Sequence, residues 1–145
     1  MISYLESALL VTPFITGYAT SAICGMDESS GSNVTFRPPG WVFAIVWPVL
    51  YVLIGLSWIM AHRLNPMNSF AYGTLNLLLV MWLMVYSCAG NKEFGLYVLL
   101  ASIISTIWCM YIGDLDSRIL ITPLLTWLVF ATVLNAAETA PKIEN

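Results

Sequence analysis

The residues in this sequence best suited to chemistry are aromatic rings, and their spacing places them on shared helical faces. Phe43, Trp47 and Tyr51 recur every four residues, which stacks their side chains along one side of a helix. Pro123, Trp127, Ala131 and Asn135 repeat at the same interval, so an indole, a small side chain and an amide lie along one stripe. That stripe reads either as a ligand shelf or as a helix-packing seam, because Ala permits close approach. A bent helix with such an aromatic inner face reads as a pocket wall. Conventional catalysis lacks its components: the apolar stretches hold no acid–base pair, no nucleophile–histidine pair and no metal cluster. His62 is the only histidine, with no Cys, Asp or Glu near it in sequence, and it reads as a hydrated or snorkelling residue at a helix end. Cys24, Cys88 and Cys109 form no even-numbered framework and no metal-ligand spacing, so they read as small buried hydrophobes. Asp114 and Asp116 supply too few oxygens for a calcium loop and read as a solvated turn.

The elements that must hold those rings are set by where charge is absent. Of 145 residues 59% are hydrophobic and only 9% charged, outside the range of soluble domains. The charged residues cluster at Glu6, Asp27 to Arg37, His62 and Arg63, Lys92 and Glu93, Asp114 to Arg118, and from Glu138 onward. Five uncharged windows lie between them, each about the roughly 20 residues that cross a bilayer as a helix. The expected fold is an all-α, integral membrane bundle of five transmembrane helices in a single domain, with spans near 5–25, 41–61, 69–87, 94–112 and 119–137. An odd number of spans puts the termini on opposite sides. Three basic residues on one face against two on the other set no orientation. The net charge of −3 argues against a polybasic lipid-binding or nucleic-acid surface.

Local signals refine this outline. The first window carries no basic leader, and Ile23 is too large for the position before a lipoprotein cleavage site, so it reads as a retained helix. Gly17, Ser21 and Gly25 form a small-residue ridge that serves either packing within the bundle or a dimer contact. The polar stretch 26–36 is a lid or a tether, and its Asn33-Val34-Thr35 glycosylation pattern is discounted for its nearness to the bilayer. Pro38 and Pro39 suit the turn entering the second helix. Pro48 removes a donor inside that helix and bends it at the carbonyl of Ala44. Asn76, an amide among leucines, must find a partner in the bundle, as glue between helices or as a ligand contact. Ser102 and Ser105 can bond back to their own helix. Cys24 and Cys88 fall at one membrane face, where a bridge is geometrically open.

The stretch Phe36-x-Pro38-Pro39-Gly40-Trp41-Val42-Phe43-x-x-Val46-Trp47-x-Val49-Leu50-Tyr51-x-x-x-Gly55 resembles the signature of the TspO family, the tryptophan-rich sensory and mitochondrial translocator proteins. Pro123-x-Leu125-x-Trp127-x-x-Phe130-Ala131-Thr132-x-Leu134-Asn135 resembles that family's last helix, and Leu75-Asn76 its third. The resemblance implies a five-helix bundle, often a homodimer in the lipid bilayer, with a pocket for porphyrin or haem-type tetrapyrroles between helices two, three and five. No cofactor is required beyond such a ligand. Carried over by position, the pocket is lined by Pro38, Trp47, Tyr51, Asn76, Leu79, Val80, Trp127 and Ala131, to which the helical stripes add Phe43 and Asn135. The implied role is receptor, sensor or carrier. Trp47 and Trp127 match the tryptophans associated with light-dependent porphyrin breakdown in bacterial members, which is the one enzymatic route the residues leave open. Cholesterol binding and a purely structural role among membrane partners are the remaining alternatives. Asp27 and Glu28 replace a usual aromatic pair in the first loop, Leu79 replaces a common Trp or Phe, and the tail after Asn135 has no Tyr to form the proposed sterol pattern.

Overall fold

Each apolar window becomes a helix, and Ser3, Asn91 and Asp114 cap the starts of three of them. The computed structural model describes residues 3–24, 40–89 and 91–139, and among these all regular structure is helical. Helix α1 spans Tyr4–Cys24, α2 Gly40–Leu64, α3 Ser69–Leu83, α4 Lys92–Ile112 and α5 Leu115–Thr139. A 3-10 turn at Pro66–Asn68 leads into α3, and a π-helical turn at Met84–Cys88 extends it. Four helices contain stretches long and apolar enough to cross a bilayer: Ile45–Leu64, Pro66–Tyr86, Lys92–Ile112 and Leu115–Ala137.

The helix ends follow from local chemistry. At the start of α1, Glu6 N donates to Ser3 Oγ at 3.2 Å and Ser3 N donates back to Glu6 Oε1 at 3.5 Å, the two bonds of a capping box. Asn91 Oδ1 accepts from Phe94 N at 3.0 Å and Asp114 Oδ1 from Ser117 N at 3.0 Å. These caps start α4 at Lys92 and α5 at Leu115, each earlier than charge alone suggests. Arg118 Nε donates to Met110 O at 2.6 Å, taking one of the carbonyls that α4 leaves unpaired at its end. The Asp114–Arg118 turn, expected to be merely solvated, is therefore a double cap. Glu6 also accepts from Arg63 Nε at 2.6 Å, which fastens the beginning of α1 to the end of α2. His62 is not simply hydrated: its Nδ1 shares a 2.8 Å hydrogen bond with Ser69 Oγ, which also accepts from Trp58 Nε1 at 3.0 Å.

In the bundle α1 packs on α2, α2 on α5, α5 on α4, α4 on α3, and α3 closes the ring against α1. Ile54, Leu75, Leu99, Leu124 and Leu128 are wholly shielded in its interior. Ile45, Val49, Leu77, Ile104, Val129 and Val133 point outward, so the helices are apolar all round, as lipid-facing helices are. Two buried hydroxyls of α4 turn back to their own helix: Ser102 Oγ donates to Val98 O at 2.8 Å and Thr106 Oγ1 to Ser102 O at 2.8 Å. Ser105 Oγ does not follow, and it has no partner among the described residues.

Two glycines let α1 seat on α2. A Cβ on Gly55 would stand 2.4 Å from the carbonyl oxygen of Leu10, and one on Gly17 would stand 2.4 Å from Cζ of Tyr51. Gly17 thus serves packing within the bundle; Gly25 and the side chain of Ser21 lie outside the described residues. Pro13, Pro48 and Pro123 sit inside α1, α2 and α5, while α3 and α4 contain no proline. Cys109 is a free, buried thiol. The side chains of Cys24 and Cys88, and with them any bridge, lie outside the described residues.

Candidate functional site

Four helices each present a pair of rings one turn apart, and the bundle brings these pairs together. On α2, Trp47 and Tyr51 lie 5.7 Å apart between ring centres; on α3, Trp82 and Tyr86 lie 4.9 Å apart. On α1, Phe14 and Tyr18 lie 4.6 Å apart, and on α5, Trp127 and Phe130 lie 5.4 Å apart. The i, i+3 and i, i+4 spacings put each pair on one face of its helix.

Trp47 is the hub. It stacks on Trp82 of α3 with centres 5.9 Å apart and planes 29° apart, and it meets Trp127 of α5 edge to face at 6.3 Å and 87°. Tyr51 continues the array to α1, reaching Tyr18 at 6.1 Å and Phe14 at 6.5 Å, both edge-on. Offset-stacked and edge-to-face arrangements are the geometries that the ring quadrupole favours. All eight rings belong to one array linked through Trp47 and Tyr51.

The predicted site residues divide into groups. Trp47, Tyr51 and Trp127 meet directly. Leu79 and Ala131 are buried in the same core cluster as Tyr51, and Val80 is half-buried. Asn76 turns to α1, where its Nδ2 lies 3.3 Å from Thr16 Oγ1, so this amide does tie two helices. Asn135 is 2% exposed and its Nδ2 donates to the Lys92 carbonyl at 2.7 Å, linking the end of α5 to the start of α4. Pro38, the side chain of Phe43, Asp27 and Glu28 lie outside the described residues. Trp82 and Tyr86 were not among the expected site residues. Their four-residue spacing is the same signal that exposes Trp47 and Tyr51, but which way α3 turns its face depends on packing against α1 and α4.

Beside the ring cluster a groove of about 670 Å³ runs between α2 and α5, within the usual range for small-molecule sites. Val46, Leu50, Trp127 and Phe130 form its inner wall, and Ile45, Val49 and Pro123 its exposed rim. Its two hydroxyls are occupied by their own helix: Thr122 Oγ1 donates to Arg118 O at 2.6 Å and Thr126 Oγ1 to Thr122 O at 3.2 Å. The groove is thus effectively apolar and opens toward lipid, with Trp127 and Phe130 shared between it and the ring array. Among the described residues no group of His, Cys, Asp or Glu could hold a metal ion. What the arrangement offers is stacking surface, desolvation and oxidisable indoles.

Comparison with known proteins gives one family. The tryptophan-rich protein TspO of Archaeoglobus fulgidus is 32% identical over 112 residues, covering 70% of this chain and 71% of that one. The profile of the TspO/MBR family matches residues 7–138, from the first turn of α1 to the last of α5. A likeness that runs the length of the bundle, joined to four bilayer-length helices, settles the assignment: the chain is an integral, multi-pass membrane protein that belongs to the TspO/MBR family.

Proposed function

We propose that the protein binds a flat tetrapyrrole of the porphyrin or haem type at the junction of α2, α3 and α5, as a membrane receptor, sensor or carrier, and that α1 crosses the bilayer as a fifth span. The observation that carries this reading is the meeting of Trp47, Trp82 and Trp127, one indole from each of the three helices. Indoles from separate helices provide faces and edges to a macrocycle while the apolar wall of the bundle removes it from water. The guest approaches from the α2–α5 groove, whose inner wall includes Trp127 and Phe130, and exchanges ring–ring contacts for ring–guest contacts. Helix α1, at 21 residues, is about 30 Å long at helical rise, and it packs along α2 through Gly17 and Gly55.

Titrating the purified protein in detergent with protoporphyrin, followed by quenching of tryptophan emission, tests the reading. Trp47→Phe and Trp127→Phe should each weaken binding by a factor of about 2 to 10, the equivalent of one aromatic contact. Unchanged affinity in both variants removes the site.

The contact between Trp47 and Trp127 also favours a second reading, in which the bound porphyrin is consumed. An excited porphyrin takes one electron from an indole and passes it to dissolved oxygen as superoxide, the indole radical recovers an electron from the macrocycle, and the porphyrin radical cation and superoxide combine, so that oxygen is added to the ring and the indole is restored. Illumination in oxygenated buffer should then bleach the porphyrin in the wild type and spare it in the Trp47→Phe, Trp127→Phe double variant. Intact porphyrin in the illuminated wild type leaves binding alone.

A further inference from the structure

At the face where α1 begins, one serine is shared between two side chains of α2 in a way that fixes the direction of each bond. Ser69, the first residue of α3, is bonded through Oγ to Trp58 Nε1 at 3.0 Å and to His62 Nδ1 at 2.8 Å. An indole nitrogen only donates, so Ser69 Oγ accepts from Trp58. The hydroxyl proton of Ser69 then has one acceptor among the described residues, His62 Nδ1. An imidazole nitrogen accepts only when it carries no proton. The arrangement therefore selects neutral His62 with its proton on Nε2.

Protonating His62 undoes it. Both ring nitrogens then donate, Nδ1–H is aimed at an oxygen that already accepts from Trp58, and the Ser69 proton loses its acceptor. The other ionisable groups at this face do not share the titration. Arg63 is paired with Glu6 of α1. At the junction of α4 and α5, Asp114 caps α5 through Ser117 N, Arg118 donates to Met110 O, and Asp116 is exposed. The turn before α3 carries no ionisable side chain; α3 contributes Tyr72, whose hydroxyl is bonded to Ser57, and α4 the buried thiol Cys109. Carboxylates ordinarily titrate near 4 and thiols, phenols and guanidinium groups above 8, so of these groups imidazole alone changes charge between about pH 5.5 and 8.

We propose that His62 makes the junction of α2 and α3 a pH-sensitive latch: while the imidazole is neutral Ser69 ties Trp58 and His62 to the first turn of α3, and proton uptake at Nδ1 releases the tie. The latch is closed on the alkaline side of the imidazole titration and opens as pH falls through it. It is the outer end of a chain of contacts. Trp58 stacks on Tyr72 at 6.1 Å, and Tyr72 reaches the Ser117 carbonyl of α5 through Ser57. Asn68 Nδ2 keeps its 3.0 Å bond to Ala61 O in either state, so opening loosens the start of α3 without unfolding the bundle. No ligand takes part, and the latch stands whether or not a tetrapyrrole binds.

Nuclear magnetic resonance of the intact protein in detergent micelles tests this. His62 is the only histidine, and at about pH 8 its ring nitrogens should report a proton on Nε2 and none on Nδ1; a proton on Nδ1 overturns the latch. His62→Asn sets an amide oxygen near the place of Nδ1 and takes up no proton, so it should hold the latch closed at every pH. The exchange read is that of the Trp58 Nε1–H with deuterium, its resonance being the one missing from Trp58→Phe. It should be about tenfold faster in the wild type than in His62→Asn at about pH 5.5, and within about twofold of it at about pH 8. Ser69→Ala should exchange fast at both pH values. Equal rates in the wild type and His62→Asn at the lower pH would overturn the proposal, and these two proteins decide it even if Ser69→Ala does not fold.

Discussion

Replacing Gly17 by Ala tests whether the ring array is held from α1. The added Cβ would stand 2.4 Å from Cζ, 2.5 Å from the hydroxyl and 2.7 Å from Cε2 of Tyr51, about 1 Å inside ordinary carbon contact. Tyr51 is only 5% exposed, so its ring must push into neighbours, among them Trp47 at 5.7 Å. Overpacking of this kind costs about 1–3 kcal/mol, and the better helix propensity of Ala returns about 0.5–1 kcal/mol. The expected net loss is about 1–2 kcal/mol, accompanied by weaker protoporphyrin binding because Trp47 is displaced. Tyr51→Phe should not rescue it, since Cζ remains in place. Tyr51→Leu should, turning Gly17→Ala neutral or mildly stabilising in that background. Equilibrium unfolding in mixed SDS micelles, read by tryptophan emission across the four-protein cycle, gives the coupling energy. Additivity within about 0.5 kcal/mol would show that α1 does not brace Tyr51, and the reasoning from Gly17 would be wrong.

Other substitutions probe separate parts of the bundle. Ser57→Ala removes the wholly buried hydroxyl that donates to Ser117 O at 2.8 Å and, its own proton being used there, accepts from Tyr72 Oη at 2.6 Å; about 1–3 kcal/mol should be lost in the same unfolding assay, and Tyr72→Phe should cost less because Ser57 keeps its carbonyl. At Gly73 an added Cβ meets nothing within 4 Å, so Gly73→Ala should stabilise by about 0.5–1 kcal/mol; a loss there would reveal a neighbour beyond this bundle. Asn76→Leu should cost only about 0.6 kcal/mol, since Thr16 Oγ1 keeps its 2.8 Å bond to Thr12 O, and protoporphyrin affinity should be unchanged. A drop as large as that of Trp47→Phe would move Asn76 from helix glue to ligand contact.

Much of the architecture was legible because charge is so sparse that each cluster marks a helix end. Spans expected near 41–61 and 69–87 correspond to α2 at Gly40–Leu64 and to α3 with its π-helical extension ending at Cys88. The starts of α4 and α5 were placed late because Asn91 and Asp114 act through backbone caps, which hydropathy does not register. In the ring cluster, that Trp47 and Tyr51 share a face was legible from four-residue spacing, and their meeting with Trp127 agrees with the family likeness. Trp82 was not, because the likeness directs attention to position 79, where this chain has Leu. The structure puts an indole against Trp47 from Trp82, nearly one helical turn further along α3. Periodicity says which residues share a face; it does not say which face turns inward, and that is decided by the packing of the whole ring of helices.

The prolines distribute stiffness unevenly around the ring. Pro48 and Pro123 each leave one backbone carbonyl without its usual donor, and they do so in α2 and α5 on the two flanks of the groove, Pro123 being part of its lining. Helices α3 and α4 keep every rung of their ladders free of proline. A bulky body wedged into the groove would therefore meet one yielding side and one rigid side: the pliant pair flexes like a sprung door while the proline-free pair holds the frame.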